Sequence, residues 1–358
     1  MTLQQVLGSI TEIDNDFYNK AKERTSNLIM PPRAMGRLND ISEQICAITR
    51  TLTPLTSSKA VFVMAGDHSI ATKGVSAFPQ EVTLQMMGAF MGGMATINAV
   101  SRAAGVKIFL TDAGTLHNMP DATISPEAEF FQRKVALGTQ DFSECQAMSH
   151  KQAEDCIMVG FNVTSEQIIK HKLKLIATGD MGIGNTTPSS AIGAVITGET
   201  VETMTGMGSG LSNERIKMKI ELIKQGIELN KPNKNDGLDI LAKVGGFEIG
   251  AIAGTILAAA YHKIPVVVDG IISTAGALIA QKLSPASLGY MIAGHASEEP
   301  GHRIMLKHLG LEPVLDLGMR LGEGTGAVAA IRIVELAAAI IRDVATFEEA
   351  AVSGKSDV

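Results

Sequence analysis

The sequence predicts an α/β fold with a mostly parallel sheet. Two observations carry this. Short β-branched, apolar runs alternate with longer segments of helical period, the pattern of strands buried on both faces. Polar residues also recur at the ends of those runs, at Asp67-His68, Asp112, Asp180, Asp269, His295 and Glu323. In open parallel sheets ligands bind at the carboxyl ends of the strands, so these residues, distant in sequence, are expected along one edge. The expected architecture is a Rossmann-like sheet flanked by helices, with a smaller helical subdomain.

The elements follow in order. The first 45 or so residues have helical spacing, interrupted at Pro31-Pro32. Lys59–His68 reads as a buried strand, Glu81–Ala104 as a Met- and Ala-rich helix, and Val106–Gly114 as a second strand. "QDFSECQAMSHKQAEDCIMVGFNV" is a connection holding a helix, and "KLIATGD" is the next strand. "NERIKMKIELIKQGIEL" is an amphipathic helix, and "KPNKNDG" the clearest loop. A helical segment begins at Asp239. "IPVVVDGIIST" is a strand followed by a helix over Ala275–Lys282, and "SLGYMIAGH" is another strand. "EPVLDLGMRLGEGTGA" carries a short strand and a glycine-rich loop, and a long helix runs from Ala327 to about Val344. The expected division is a helical part over 1–50, the α/β domain over 51–345 and a tail over 346–358.

Composition bounds the function. The 358 residues carry a net charge of −6, with no Trp and 3 Tyr. That argues against nucleic-acid binding by field or by stacking. The longest apolar stretch is broken by His262, Lys263, Pro265 and Asp269, so no membrane span is expected. Cys46, Cys145 and Cys156 stand apart, with no zinc spacing. An odd cysteine count and a polar N-terminus fit the cytoplasm.

Several segments hold chemistry. "GDMGIGNTTPSSAIGA" (Gly179–Ala194) joins a strand to a helix start through a glycine loop, a plausible anion cradle. It lacks the Gly-Lys-Ser/Thr of a Walker loop and the G-x-G-x-x-G of a dinucleotide site, so a nicotinamide-dinucleotide dehydrogenase is a poor reading. In "RLGEGTGA" (Arg320–Ala327), Glu323 is either a general base or a cap for the next helix; both stand on spacing alone. "GHASEEPGHR" offers His, Ser and Arg donors. Asp67-His68 invites a dyad or metal reading, but no second His stands at ligand spacing. Lys219, between Lys217 and Lys224, reads as a solvated lysine.

Seven segments in order resemble the nicotinate-nucleotide:dimethylbenzimidazole phosphoribosyltransferase family of cobamide lower-ligand assembly. They are "AGDHSIATKGVSAFPQEVT", "GDMGIGNTT", "GMGSGL…K", "LAKVGGFEIGAIAGTILAAA", "IPVVVDGIISTAGAL", "EEPGHR" and "LDLGMRLGEGTGA", and the likeness runs from about Pro31 to "ATFEEAAVSG". The resemblance implies phosphoribosyl transfer from nicotinate mononucleotide, a substrate and not a cofactor, to a lower-ligand base. It implies Glu323 as general base, with Asp180 grouped with it as catalytic. It implies Gly182, Gly184, Asn185, Thr186, Gly208, Lys219, Ser297 and Gly322 around the phosphate and ribose, and Phe78, Gln85 and Leu321 around the acceptor. No metal and no bound cofactor are expected. The partners would be small molecules, and the assembly a dimer of identical or homologous chains.

The chain also departs from the family pattern. "MPPRAMGRLND" (Met30–Asp40) replaces a segment like "KPPGSLGRLE", Asp180 stands where the family has Glu, and Ser69 follows Asp67-His68 where it has Gly. Drift on the acceptor side suggests an alternative, the subunit of a heterodimer that uses phenol or p-cresol. A non-catalytic partner subunit is the reading from a different class.

Overall fold

The computed structural model describes residues 1–119, 124–208 and 210–353. Ser209 of the "GMGSGL" segment and the last five residues of the expected tail lie outside them.

Among the described residues six parallel strands form the sheet: β1 (Lys59–Gly66), β2 (Lys107–Gly114), β3 (Ala128–Gln132), β4 (Leu175–Met181), β5 (Val266–Val268) and β6 (Met291–Ala293). The spatial order is β3-β2-β1-β4-β5-β6, so chain order reverses between β1 and β4. The crevice at such a switch point is where ligands bind, and the glycine loop follows β4 there.

The sheet is covered on both faces, which is why its strands are apolar runs with no polar alternation. Phe62 and Met64 of β1 enter one core with the helices His150–His171, Phe247–His262 and Ile271–Leu283. Val61, Val63 and Ala65 enter the other, with Arg37–Thr49, Val82–Met91, Thr96–Ala104 and Thr325–Asp343. Helices His150–His171 and Phe247–His262 pack backbone to backbone. A Cβ at Gly160 would overlap the carbonyl oxygen of Ala251, and one at Gly254 that of Ile157. The N-terminal helices join the chain's far end: Arg24 donates to the carbonyls of Ile341 and Val344, and Ala21 and Cys46 pack on Ile341.

Some sequence expectations need correction. β3 was not foreseen, because "AEFFQ" is short and only half-buried. The expected strand in "EPVLDLGM" is a single bridge from Leu315 to His295. β5 and β6 span three residues each, since the chain leaves the ladder at Asp269 and at Gly294 to build the site. The helix after β5 starts at Ile271, not Ala275. The expected Glu81–Ala104 helix is two, divided at Gly92-Gly93, where Gly93 has a φ of 74°.

Candidate active site

The carboxyl ends of β4, β5 and β6 open into a cavity of about 620 Å³. One wall is built by the loop after β4. Gly182, Gly184, Asn185 and Thr186 line it, and Thr186 begins a helix that runs to Thr197. The first turn of that helix presents N–H groups and partial positive charge to the cavity. Lys219 lies behind this wall. Its side chain is fully buried, and Nζ donates to Thr186 Oγ1 at 2.6 Å. Gly208, with a φ of 53°, covers the pair: a Cβ there would lie 3.2 Å from Thr186 Oγ1. Burial pulls the Lys219 ammonium down to about 8, opposed by the charge of Glu299. The solvated-lysine reading from spacing alone is therefore wrong, because helix Asn213–Asn230 turns this position inward.

A second wall is built by carboxylates. Glu323 is buried, with Oε2 unpartnered among the described residues, on a turn where Gly322, Glu323 and Gly324 all have positive φ (83°, 64° and 85°). A non-glycine residue held there is strained, and such strain clusters at functional sites. The turn rests on β4: a Cβ at Gly179 would lie 2.8 Å from the Glu323 carbonyl oxygen. The capping reading of Glu323 fails, because the N-cap of helix Thr325–Asp343 is Gly324, with no side-chain cap bond. Asp269 serves that helix instead. Its Oδ2 accepts from Gly324 N–H at 3.1 Å and its Oδ1 from Ala327 N–H at 2.8 Å.

Asp180 ends β4 beside Gly322. Its Oδ2 accepts from Asn185 Nδ2 at 3.0 Å, and its Oδ1 is buried without a partner among the described residues. Burial, then the Asp269 charge, push Asp180 up to about 8. Burial raises Glu323 to about 7; a backbone hydrogen bond from Ile97 opposes this and the Asp269 charge adds to it. Two carboxyls poised near neutrality in one cavity mark a site for proton transfer.

The third wall follows β6. His295, Ser297 and Glu299 alternate along the chain and all line the cavity. Ser297 N–H donates to His302 Nδ1 at 2.9 Å, so His302 carries its proton on Nε2, facing Thr274 Oγ1 at 3.0 Å. Burial drives His302 down to about 3, so it is a neutral strut. The remaining wall is apolar: Val75, Phe78, Val82, Met86, Ile272 and Leu321. Phe78 and Leu321 are each 53% exposed and form its rim.

Eleven of the thirteen residues expected from sequence line this cavity, and Lys219 backs it through Thr186. Gln85 does not: it is exposed on helix Val82–Met91, which turns Val82 and Met86 inward. Those two, four apart, were the signal a helical reading would have used. Asp67 and His68 do not line it either. His68 Nε2 donates to Glu248 Oε1 at 2.7 Å, fully buried, and Asp67 Oδ2 accepts from Leu116 N–H at 2.9 Å. Among the described residues no group of three or more His, Cys, Asp or Glu is arranged to hold a metal ion.

A family model described as phosphoribosyltransferase matches residues 10–352. The chain belongs to this family. The phosphoribosyltransferase is 49% identical to the nicotinate-nucleotide–dimethylbenzimidazole phosphoribosyltransferase of Desulfotalea psychrophila, over 98% of each chain. It is 47% identical to the protein of that name from Desulforamulus reducens, over 98% of this chain and 99% of that one. The crystal structure of CobT from Thermus thermophilus matches with a TM-score of 0.89 at 39% identity, covering 94% of this chain and 99% of that one. The likeness extends through the whole cavity-bearing fold. No helix among the described residues is long and apolar enough to cross a membrane.

Proposed function

We propose that this phosphoribosyltransferase moves the phosphoribosyl group of nicotinate mononucleotide to a base of the 5,6-dimethylbenzimidazole type, releasing nicotinate. The observation that carries the reading is Glu323: a buried carboxylate that does not cap its own helix, in the same cavity as a helix N-terminus. The phosphate lies at the Gly182–Thr186 loop, where Thr186 and Lys219 answer its charge. Ser297 Oγ, buried and unpartnered among the described residues, donates a further hydrogen bond. The acceptor lies flat against Phe78, Val82, Met86 and Leu321.

An acceptor ring nitrogen attacks C1′ from the face opposite nicotinate. The C1′–N bond of the pyridinium breaks and its electron pair returns to the leaving nitrogen, giving inversion from β to α. The acceptor's N–H proton passes to Glu323. Asp180, neutral below about pH 8, offers its Oδ1 hydrogen to the substrate while Oδ2 holds Asn185 in place. Positioning and one base suffice, because nicotinate leaves from a cation. On the family resemblance the enzyme acts as a dimer. The three free cysteines support a reducing compartment, the cytoplasm.

The test is chromatographic detection of nicotinate from nicotinate mononucleotide, with dimethylbenzimidazole, adenine, phenol or p-cresol added. Release with dimethylbenzimidazole supports the reading. Release with phenols alone would move the acceptor class, and silence with all four would refute turnover by this chain alone.

A further inference from the structure

The Glu323 carboxylate does not cap its own helix, and its backbone sits at a strained φ of 64°. Something must keep that turn in place. Thr325 Oγ1 donates to the Gly322 carbonyl at 2.7 Å within the turn, and Asp269 is the buried carboxylate that bonds the turn from another strand. The Asp269 side chain is completely shielded, and it follows the three residues of β5. Its own N–H donates to Thr178 Oγ1 of β4 at 3.2 Å, which fixes the carboxylate relative to the central sheet. Both of its oxygens are then spent on the segment after Glu323, at Gly324 and Ala327. Asp269 thus caps helix Thr325–Asp343 from another strand, a favourable place for a negative charge. His295 Nε2 stands 3.7 Å from Asp269 Oδ1.

We propose that Asp269 is the positioning residue of the transfer reaction, clamping the Gly322–Gly324 turn so that the Glu323 carboxylate faces the acceptor. This rests on the assignment of Glu323 as base. The charge of Asp269 has a second consequence, since it adds to the burial that keeps Glu323 near neutrality. The other charged or titratable groups around Glu323 are Asp180 from β4, His295 after β6, Glu299 across the cavity and Arg320 at the rim. Glu248, paired with His68, acts on Asp180 and not on Glu323. Asp269 is the one charge among these that acts on Glu323 and also bonds its turn.

Two variants separate clamp from charge. Asp269→Asn loses the charge and can accept only one of the two N–H bonds. Its kcat should fall about 100-fold, the cost of a misplaced reacting group. The KM for nicotinate mononucleotide should stay within about threefold, because the phosphate loop is untouched. The Glu323 carboxyl should titrate lower, and this can be followed in ligand-free protein by carbon-13 NMR, with the resonance assigned by its loss in Glu323→Gln. Asp269→Glu keeps the charge but shifts the clamp by one methylene, so kcat should fall while the titration stays put. The proposal is overturned if Asp269→Asn retains kcat within threefold, or loses kcat with no change in the Glu323 titration. If Asp269→Asn does not fold, a wild-type kcat in Asp269→Glu overturns it. Absence of nicotinate release by the wild-type chain would refute the functional reading instead, and the titration would still decide whether Asp269 controls Glu323.

Discussion

Replacing Lys219 by Met should stabilise the free enzyme and cripple phosphate binding. The Lys219 ammonium is fully buried, with one hydrogen bond to Thr186 and, among the described residues, no carboxylate within ion-pair distance. Its depression from 10.5 to about 8 is the sign of that isolation. At about 1.4 kcal/mol per pH unit, this amounts to a cost on the order of 3 kcal/mol to the folded state. The sign is definite. Below about pH 8 both states hold the proton and the full cost is felt; between about 8 and 10.5 the folded state loses the proton first and stability recovers. Met fills similar space without the charge and leaves Thr186 Oγ1 free to turn to the cavity. With an unfolding entropy of roughly 2 cal/mol/K per residue, 3 kcal/mol raises Tm by about 4 °C at pH 7. The loss of a charge-assisted bond to phosphate should weaken nicotinate mononucleotide by about 30- to 100-fold. Differential scanning fluorimetry with and without nicotinate mononucleotide reads both effects. A lower Tm with an undiminished ligand shift would refute the reasoning and make Lys219 a structural member of the wall.

Glu323→Gln should lower kcat by about 100- to 10,000-fold with little change in KM, since it removes a base that acts only on the acceptor; steady-state nicotinate release measures this, and a non-catalytic subunit would show no change. Gly179→Ala puts a methyl 2.8 Å from the Glu323 carbonyl oxygen, on backbone that cannot yield cheaply. It should cost about 1–3 kcal/mol in a denaturant melt and lower kcat as well. The acid limb of kcat/KM should fall near pH 7, because Glu323 must be ionised to accept a proton and burial raises it to about 7. A limb near 4 in the wild type would mean that an exposed carboxylate does this work.

The fold was legible because its strands are buried on both faces, so they appear as apolar runs ended by polar residues. β3 escaped because an edge strand of five residues, four half-buried and the last exposed, carries no such signature. The glycine loop and Glu323 were visible as motifs, but the role of Glu323 was not. Base and cap share one sequence pattern, and only the bonds from Asp269 to Gly324 and Ala327 separate them. Lys219 was misread from spacing, since a lysine among lysines on a polar helix gives no sign of facing inward. His68 and Asp67 looked catalytic because they end a strand. Glu248, 180 residues after His68, and the Leu116 N–H that bonds Asp67 make them a buried brace instead.

The polarity of the cavity gives a last consequence. A helix N-terminus backed by Lys219 lines this cavity together with the carboxyls of Asp180 and Glu323. This matches a molecule with an anionic phosphate and a cationic pyridinium, and it matches ribose 5-phosphate only at the phosphate end. The preference for the ligand that carries the pyridinium must therefore depend on ionised carboxyls. Raised carboxyls lose their protons only as pH climbs through about 7 for Glu323 and about 8 for Asp180. Above pH 8 nicotinate mononucleotide should bind more tightly than ribose 5-phosphate by about tenfold or more, the worth of one partly buried charge contact. Near pH 6 the carboxyls are largely neutral and the ratio should approach one, while both ligands keep their phosphate contacts. Isothermal titration calorimetry of the two ligands across pH 6 to 9 measures the ratio directly. A ratio that does not change with pH would mean that the pyridinium does not sit beside Glu323 and Asp180, and the orientation of substrate in the cavity would have to be reversed.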